Sequence, residues 1–257
     1  MNAALVTGAV INTGVAIVEK LAHEGRNVVF TGRDAGKVSA AEAKYREKFP
    51  NVTIIGYPLN SLTPEGAADE AAVCRMFDAL DQKDIFIDAL VLNAAHLGLN
   101  QSFPDGPLSD FLDVLNTNVA WNYVLSREAA KRMKEKDGGS ITFINSITAY
   151  RTVPNRTSYI ASKGAQLGLM RSLAMDLGKY NIRVNAVLPG NIRTQRWLDN
   201  PEFYATNPGC FTPLGDVAEG ADIADAVWYF VSAARNTTGA ELAVDGGNNI
   251  QMYPIMP

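Results

Sequence analysis

"AALVTGAVINTG", residues 3 to 14, carries a short apolar run into a turn, and the chain continues as "VAIVEKLAHEG", whose apolar residues recur at helical spacing. The order of strand, glycine turn and helix decides the fold. At such a junction the free N–H groups of the first helical turn and the positive end of the helix dipole point at one place, which makes an anion site. Gly8 can make the tight turn, and Gly14 lets the helix approach the strand closely. With a strand before it and a helix after it, the turn reads as a cradle for a dinucleotide, with Asn12, Thr13 and Val15 beside the glycines as further candidate contacts.

The same alternation continues to the C-terminus. Apolar runs at 3–7, 27–31, 52–57, 88–93, 140–145, 182–188 and 241–245 read as strands, and their lack of strict polar alternation fits strands covered on both faces. Helical patterns lie between them at 14–25, 35–49, 64–80, 111–133, 159–179 and 220–234. Alternating strands and helices imply right-handed crossovers, hence a doubly wound, Rossmann-type parallel sheet of seven strands inside a three-layer α/β/α sandwich. No linker, repeat or low-complexity tract divides residues 1–257, so one domain is expected. The least regular long segment, 194–217, is expected to be a substrate lid, because its aromatic residues Trp197, Phe203, Tyr204 and Phe211 need something to cover.

Composition narrows the function class. A net charge of -4, with no basic block longer than "KRMKEK" at 131–136, argues against a nucleic-acid partner. Cys74 and Cys210 are far apart and only His23 and His96 could join them, so neither a disulfide framework nor a metal cluster is expected, and a reducing cytoplasm fits. The N-terminus lacks a basic n-region, and no apolar run approaches the roughly 20 residues of a membrane span. A soluble, cytoplasmic protein is expected.

The turn "TGAVINTG" resembles that of the short-chain dehydrogenase/reductase family, in its single-domain branch with the T-G-x-x-x-G-x-G pattern. Thr7, Gly8 and Gly14 match, while Asn12 stands where the middle glycine is expected. Asn enters left-handed backbone conformations at moderate cost, and its amide could contact a phosphate. After the second strand, Gly32 occupies the place of the acid that would bind the adenosine ribose of NAD, and Arg33 follows it. A guanidinium there suits the 2′-phosphate of NADP, which is expected in preference to NAD. The resemblance places Asn60 and Ser61 of "PLNS" near the adenine and sets Asn93 and Ala94 of "LNAAH" against the family's N-N-A-G. For Asn93, a tie at a buried strand end competes with direct cofactor contact. "PGNIRT", 189–194, resembles the family's P-G-x-x-x-T, so Pro189, Gly190, Ile192 and Thr194 are expected around the nicotinamide.

Tyr159 and Lys163 lie four residues apart in "SYIASK", with Ser146 thirteen residues before the tyrosine at the end of the fifth strand and Asn118 on the preceding helix. A Tyr–Lys pair alone is a weak signal; the added serine and strand context make it specific. Carbonyl reduction develops negative charge on oxygen, which needs a hydrogen-bond donor and then a proton. A phenol, with a pKa of about 10, is poorly matched to neutral pH. Lys163, one helical turn on, is placed to favour the phenolate. The family resemblance implies further roles: Lys163 clamps the nicotinamide ribose, Ser146 binds the substrate oxygen with Tyr159, and Asn118 supports a water linking Lys163 to solvent.

Other chemistries find little support. No G-x-S-x-G elbow and no G-K-S/T P-loop occur. The family's enoyl reductases separate their Tyr and Lys by six residues, which would put the tyrosine at Arg156. A nucleotide-binding regulator without turnover is the competing class, favoured by Asn12, Leu92 and Ala95 and opposed by the intact Asn118, Ser146, Tyr159 and Lys163. Candidate substrate contacts are His96, Leu97, Ile147, Tyr150, Arg151 and Trp197. Arg151, Arg193 and Arg196 permit an anionic group, and hydroxysteroid-like, 3-oxoacyl and polyol-like small molecules all remain open. The Met- and Leu-rich helix at 159–179 and the tail "IQMYPIMP" suggest a homodimer or homotetramer, with burial in the monomer's own core as the competing explanation for that helix.

Overall fold

Each apolar run of the sequence forms one strand of a single sheet: β1 (Asn2–Val6), β2 (Asn27–Gly32), β3 (Ile54–Pro58), β4 (Phe86–Leu92), β5 (Gly139–Ile144), β6 (Ile182–Pro189) and β7 (Glu241–Val244). The structure is a computed structural model that describes residues 1–207 and 210–253, without the side chains of Arg196 and Phe203. Pro208 and Gly209 of the expected lid and residues 254–257 of the tail lie outside the described residues, as do those two side chains. All pairings are parallel, in the order β3-β2-β1-β4-β5-β6-β7.

Burial on both faces explains why the central strands are apolar without alternation, while the edge strands β3 and β7 are more exposed. In β1, Ala3 and Leu5 join a core with Val73, Phe77 and Leu125, while Ala4 and Val6 join the opposite one with Ile17, Leu21 and Val227. The first core is closed by α3 (Glu70–Asp81), α5 (Trp121–Met133) and α6 (Thr157–Leu177). The second is closed by α1 (Asn12–His23), α2 (Ala35–Lys48) and α9 (Gly220–Trp228). No helix among the described residues is long and apolar enough to cross a membrane.

Three expected helices differ in detail. The pattern beginning at residue 64 becomes helix only at Glu70, because Gly66 is left-handed (φ 84°) and the Asp69 side chain caps the helix by accepting from Ala72 N. The stretch 111–133 is not one continuous α-helix. It comprises α4 (Leu108–Leu115), a π-helical turn at Asn116–Ala120 that contains Asn118, and then α5. Such turns insert an extra residue and change the facing of the groups inside them. A second π-turn, Tyr229–Ala233, ends the helix that begins at Gly220. In α6, Leu167 and Met170 are buried in the core, as the competing explanation for that helix required, whereas Met175 is 84% exposed.

Candidate functional site

The chain builds β1 to β3 outward in one direction and then crosses back to lay β4 on the other side of β1. At such a reversal the loops leaving the carboxyl ends of the two central strands diverge and open a crevice. A cleft of about 390 Å³ lies there, with walls from the β1–α1 turn, the end of β2, the loops after β3 and β4, and Thr194. A wider concavity of about 1220 Å³ lies at the opposite, amino end of the sheet, and its lining includes the paired Arg26 and Asp88. The first cleft is the candidate site, because the turn with free N–H groups opens into it.

Of the residues singled out from sequence, Gly8, Asn12, Thr13, Gly14, Arg33, Ser61, Asn93, Ala94, His96 and Thr194 line the cleft. Asn12 takes the left-handed conformation expected of it (φ 51°), and its Oδ1 accepts from Gln195 N at 3.3 Å, tying the turn to α7 (Gln195–Asp199). Gly14 is held against the preceding turn so tightly that a Cβ would meet Gly8 O at 2.5 Å. Asn93 acts as a tie. Its Nδ2 donates to Thr7 O and Gly8 O, while Thr7 Oγ1 accepts from Asn93 N and Ala94 N, so this polar pair staples β1 to β4.

Other candidates sit elsewhere. Asn60 is exposed outside the cleft, whose lining there comes from its neighbours Leu59 and Ser61, as the alternation of extended chain dictates. Val15 and Ile192 pack against the second core. Gly190 N donates to Val244 O, so Pro189 and Gly190 join β6 to β7 and do not line the cleft. The Tyr150 hydroxyl is engaged by Glu241 and Arg171, and Arg151 Nε donates to Asn249 O. Arg193 pairs with Asp216 and Glu219, so of the three arginines considered for an anionic substrate it is already neutralised. Trp197 stacks on Tyr204 of α8 (Pro201–Thr206), with ring centroids 4.4 Å apart.

Arg33 lines the cleft and Asp34 does not. The Asp34 carboxylate caps α2, accepting from Lys37 N at 2.8 Å, which leaves the exposed Arg33 as the nearer charge at the cleft.

Ser146, Tyr159, Lys163 and Asn118 converge where β5 ends against α6 and the π-turn. The half-buried Tyr159 hydroxyl is pushed up to about 12 by burial, and a hydrogen bond with Ser146 and the charge of Arg156 pull the other way. The Ser146 hydroxyl accepts from Thr148 N and from Thr148 Oγ1 at 2.9 Å. The expected lowering of the phenol by Lys163 is not in place in this arrangement. Lys163 Nζ lies 5.5 Å from the Tyr159 ring centroid and donates to Ile144 O at 2.9 Å and Gln166 Oε1 at 3.1 Å. Burial lowers the ammonium to about 7. Asn118 holds the loop after β4: its Oδ1 accepts from His96 N, and its Nδ2 donates to His96 O and Ser162 Oγ.

Sequence reasoning missed Thr148, Gln166 and Tyr45. Gln166 was visible as a polar residue one turn beyond Lys163 on the same helical face. Tyr45 gave no signal beyond its place in α2, yet its buried hydroxyl donates to Ala9 O at 2.8 Å, so α2 supports the β1–α1 turn from behind. Tyr45→Phe leaves that carbonyl unpaired and is expected to cost about 1–3 kcal/mol in urea unfolding, with weaker nucleotide binding. Unchanged stability and affinity would mean that the turn holds its shape without this bond.

Comparison with known proteins places these features in context. A family model described as enoyl-(acyl carrier protein) reductase matches residues 8–249. The chain is 36% identical over 245 residues to a 3α-hydroxysteroid dehydrogenase of Mediterraneibacter gnavus, covering 95% of each chain. It is 33% identical over 254 residues to an NADP-dependent (R)-specific alcohol dehydrogenase of Lentilactobacillus kefiri, covering 96% of each. A solved 7α-hydroxysteroid dehydrogenase, complexed with NADH and 7-oxo glycochenodeoxycholic acid, superposes with a TM-score of 0.85 at 29% identity, covering 96% of this chain and 93% of that one.

Proposed function

This chain belongs to the short-chain dehydrogenase/reductase family, and on that premise we propose that it is an NADP(H)-dependent oxidoreductase interconverting a secondary alcohol and a ketone. The observation that carries the reading is the convergence of Ser146, Tyr159 and the buried Lys163 at the carboxyl end of β5, with Lys163 Nζ 5.5 Å from the Tyr159 ring centroid and donating to Ile144 O. Two hydroxyls and a cation at one point suit an oxygen that gains negative charge and then a proton.

The residues present fit a dinucleotide. The first N–H groups of α1 have no helical acceptor, its first turn has no acidic residue, and the glycine backbone is packed too closely for side chains. When bound, the nicotinamide supplies or accepts the hydride. Tyr159 Oη gives the proton to the carbonyl oxygen, and Ser146 Oγ donates a hydrogen bond to the same atom. Lys163 holds the ribose hydroxyls and Thr194 the carboxamide, while Arg33 holds the 2′-phosphate. The four-residue spacing of Tyr159 and Lys163 favours this chemistry over enoyl reduction. Arg193 is neutralised by Asp216 and Glu219, so it does not serve an anionic group of the substrate, which a lid at 194–217 covers. Assembly as a homodimer or homotetramer through α6 is supported by its flat outer face of Ala161, Gly164, Ala165 and Gly168, all exposed.

Following NADPH and NADH absorbance with a panel of ketones, uncharged and anionic, tests the proposal. NADPH is expected to be the better cofactor, and Arg33→Ala should lower kcat/KM for NADPH by roughly 10- to 100-fold, the effect of a charged hydrogen bond of about 1.5–3 kcal/mol, with NADH little changed. Binding of NADPH without oxidation across the panel would favour a regulator; equal losses with both cofactors would remove Arg33 from the 2′-phosphate.

A further inference from the structure

Among the described residues Lys163 is the buried cation, 1% exposed, and no described carboxylate meets it. Its partners are neutral. Nζ donates to Ile144 O and to Gln166 Oε1, and Gln166, also 1% exposed, donates from Nε2 to Asn118 O at 2.7 Å. Asn145 Nδ2 completes the cluster by donating to Gln166 Oε1 at 3.2 Å and to Lys163 O at 3.0 Å. The orientation of the Gln166 amide is fixed by its surroundings. Two donors face its oxygen and a carbonyl faces its nitrogen, so turning it over would lose all three bonds.

The family resemblance implied a water, supported by Asn118, that links Lys163 to solvent. The side chain of Gln166 itself joins Lys163 Nζ to Asn118 O. We infer that Gln166 is a positioning residue for the Lys163 ammonium, joining Nζ to the main-chain carbonyl of Asn118 and thereby fixing where the ammonium rests and how firmly it keeps its proton. The inference rests on the reading of Tyr159 and Lys163 as the acid–base pair. The π-turn matters to it, because it turns the Asn118 carbonyl toward α6 while the Asn118 side chain holds His96.

The other charged and titratable groups around the cluster are few. Tyr159 lies on the same helix with its ring 5.5 Å from Nζ, and Arg156 stands at the helix start. His96 joins through Asn118, and Asp110 of α4 is occupied by Ser158 Oγ. β5 and the π-turn contribute only amides, hydroxyls and carbonyls to this cluster. Gln166 is therefore the group whose charge state can be changed next to Lys163 without disturbing another ion pair.

The test uses the full chain and the near-isosteric Gln166→Glu, with Gln166→Met as a second variant. Lysine side-chain NMR, with the Lys163 signal assigned through Lys163→Arg, follows the titration of Nζ without any turnover. Gln166→Glu is expected to raise the midpoint by one pH unit or more, a tenfold gain in proton affinity, and Gln166→Met to lower it. In turnover, the pH profile of kcat should move in the same directions, with KM for the ketone little changed. Identical Lys163 titrations in wild type and in folded Gln166→Glu would overturn the inference even if Gln166→Met fails to fold. A wild type that turns over no carbonyl would sink the oxidoreductase reading while the NMR titration still decides this one.

Discussion

Tyr159→Phe is expected to lower kcat for ketone reduction by roughly 10²- to 10⁴-fold, the contribution of a positioned general acid, while NADPH affinity and the unfolding midpoint stay near wild type. The reason is local. The substitution removes one hydroxyl from a ring already held between β5 and α6, and Ser146 keeps its bonds to Thr148. Nothing in the phosphate turn touches that hydroxyl. The wild-type rate of reduction should fall as pH rises through the point where Tyr159 loses its proton in the enzyme–cofactor complex, whereas the residual rate of the variant should be level there. Burial pushes the free-enzyme hydroxyl up to about 12, so this limb reports the complex, in which the Lys163 ammonium is the positive charge nearest the ring and the reduced nicotinamide is neutral. Stopped-flow measurement of NADPH consumption separates the proton-linked step from binding. Turnover at the wild-type rate would remove Tyr159 from the mechanism.

The second large effect concerns Gly14. A Cβ there would meet Gly8 O at 2.5 Å, Ala9 Cα at 2.7 Å and Asn93 Nδ2 at 2.8 Å, and two of those atoms are backbone that cannot rotate aside. Gly14→Ala therefore has to push the turn away from α1. Overpacking of this kind costs about 1–3 kcal/mol in stability. Displacing the N–H groups that face the phosphates should weaken NADPH binding by 10- to 100-fold, about 1.4–2.7 kcal/mol. Calorimetry and a urea titration on the same preparation resolve the two effects. Asn12→Gly is the informative contrast: the left-handed backbone at φ 51° suits glycine, and the lost contact is the single bond to Gln195 N. Wild-type affinity in Gly14→Ala would show that the turn is not the phosphate site.

Much of this was legible before any coordinates. The seven strands announced themselves because a strand covered on both faces must be apolar at every position, and the helices because each buries one face. The turn and the Ser146–Tyr159–Lys163 set were legible because their chemistry depends on short spacings along one turn or one helix. What lay beyond reach were long-range partners. The break after Leu115 depended on how the chain packs against α6, whose Ser162 and Gln166 bond Asn118, whereas the start of α3 at Glu70 was set locally by Gly66 and the Asp69 cap. Tyr150 and Arg151 follow Ser146 in sequence, yet their polar groups are taken by Glu241, Arg171 and Asn249.

The sequence by itself determined the fold class, the glycine turn between β1 and α1 and the residue types of the proposed acid–base cluster, since each is set by periodicity or by neighbours within a few positions. Only the tertiary structure decided the state of those groups. Lys163 rests on Ile144 O and Gln166 because α6 is pressed against the end of β5 and the π-turn, burying an ammonium where only neutral carbonyl oxygens are in reach. The proton affinity of a buried charge is set by desolvation and by the few dipoles around it, and those come from segments dozens of residues apart that no local pattern brings together.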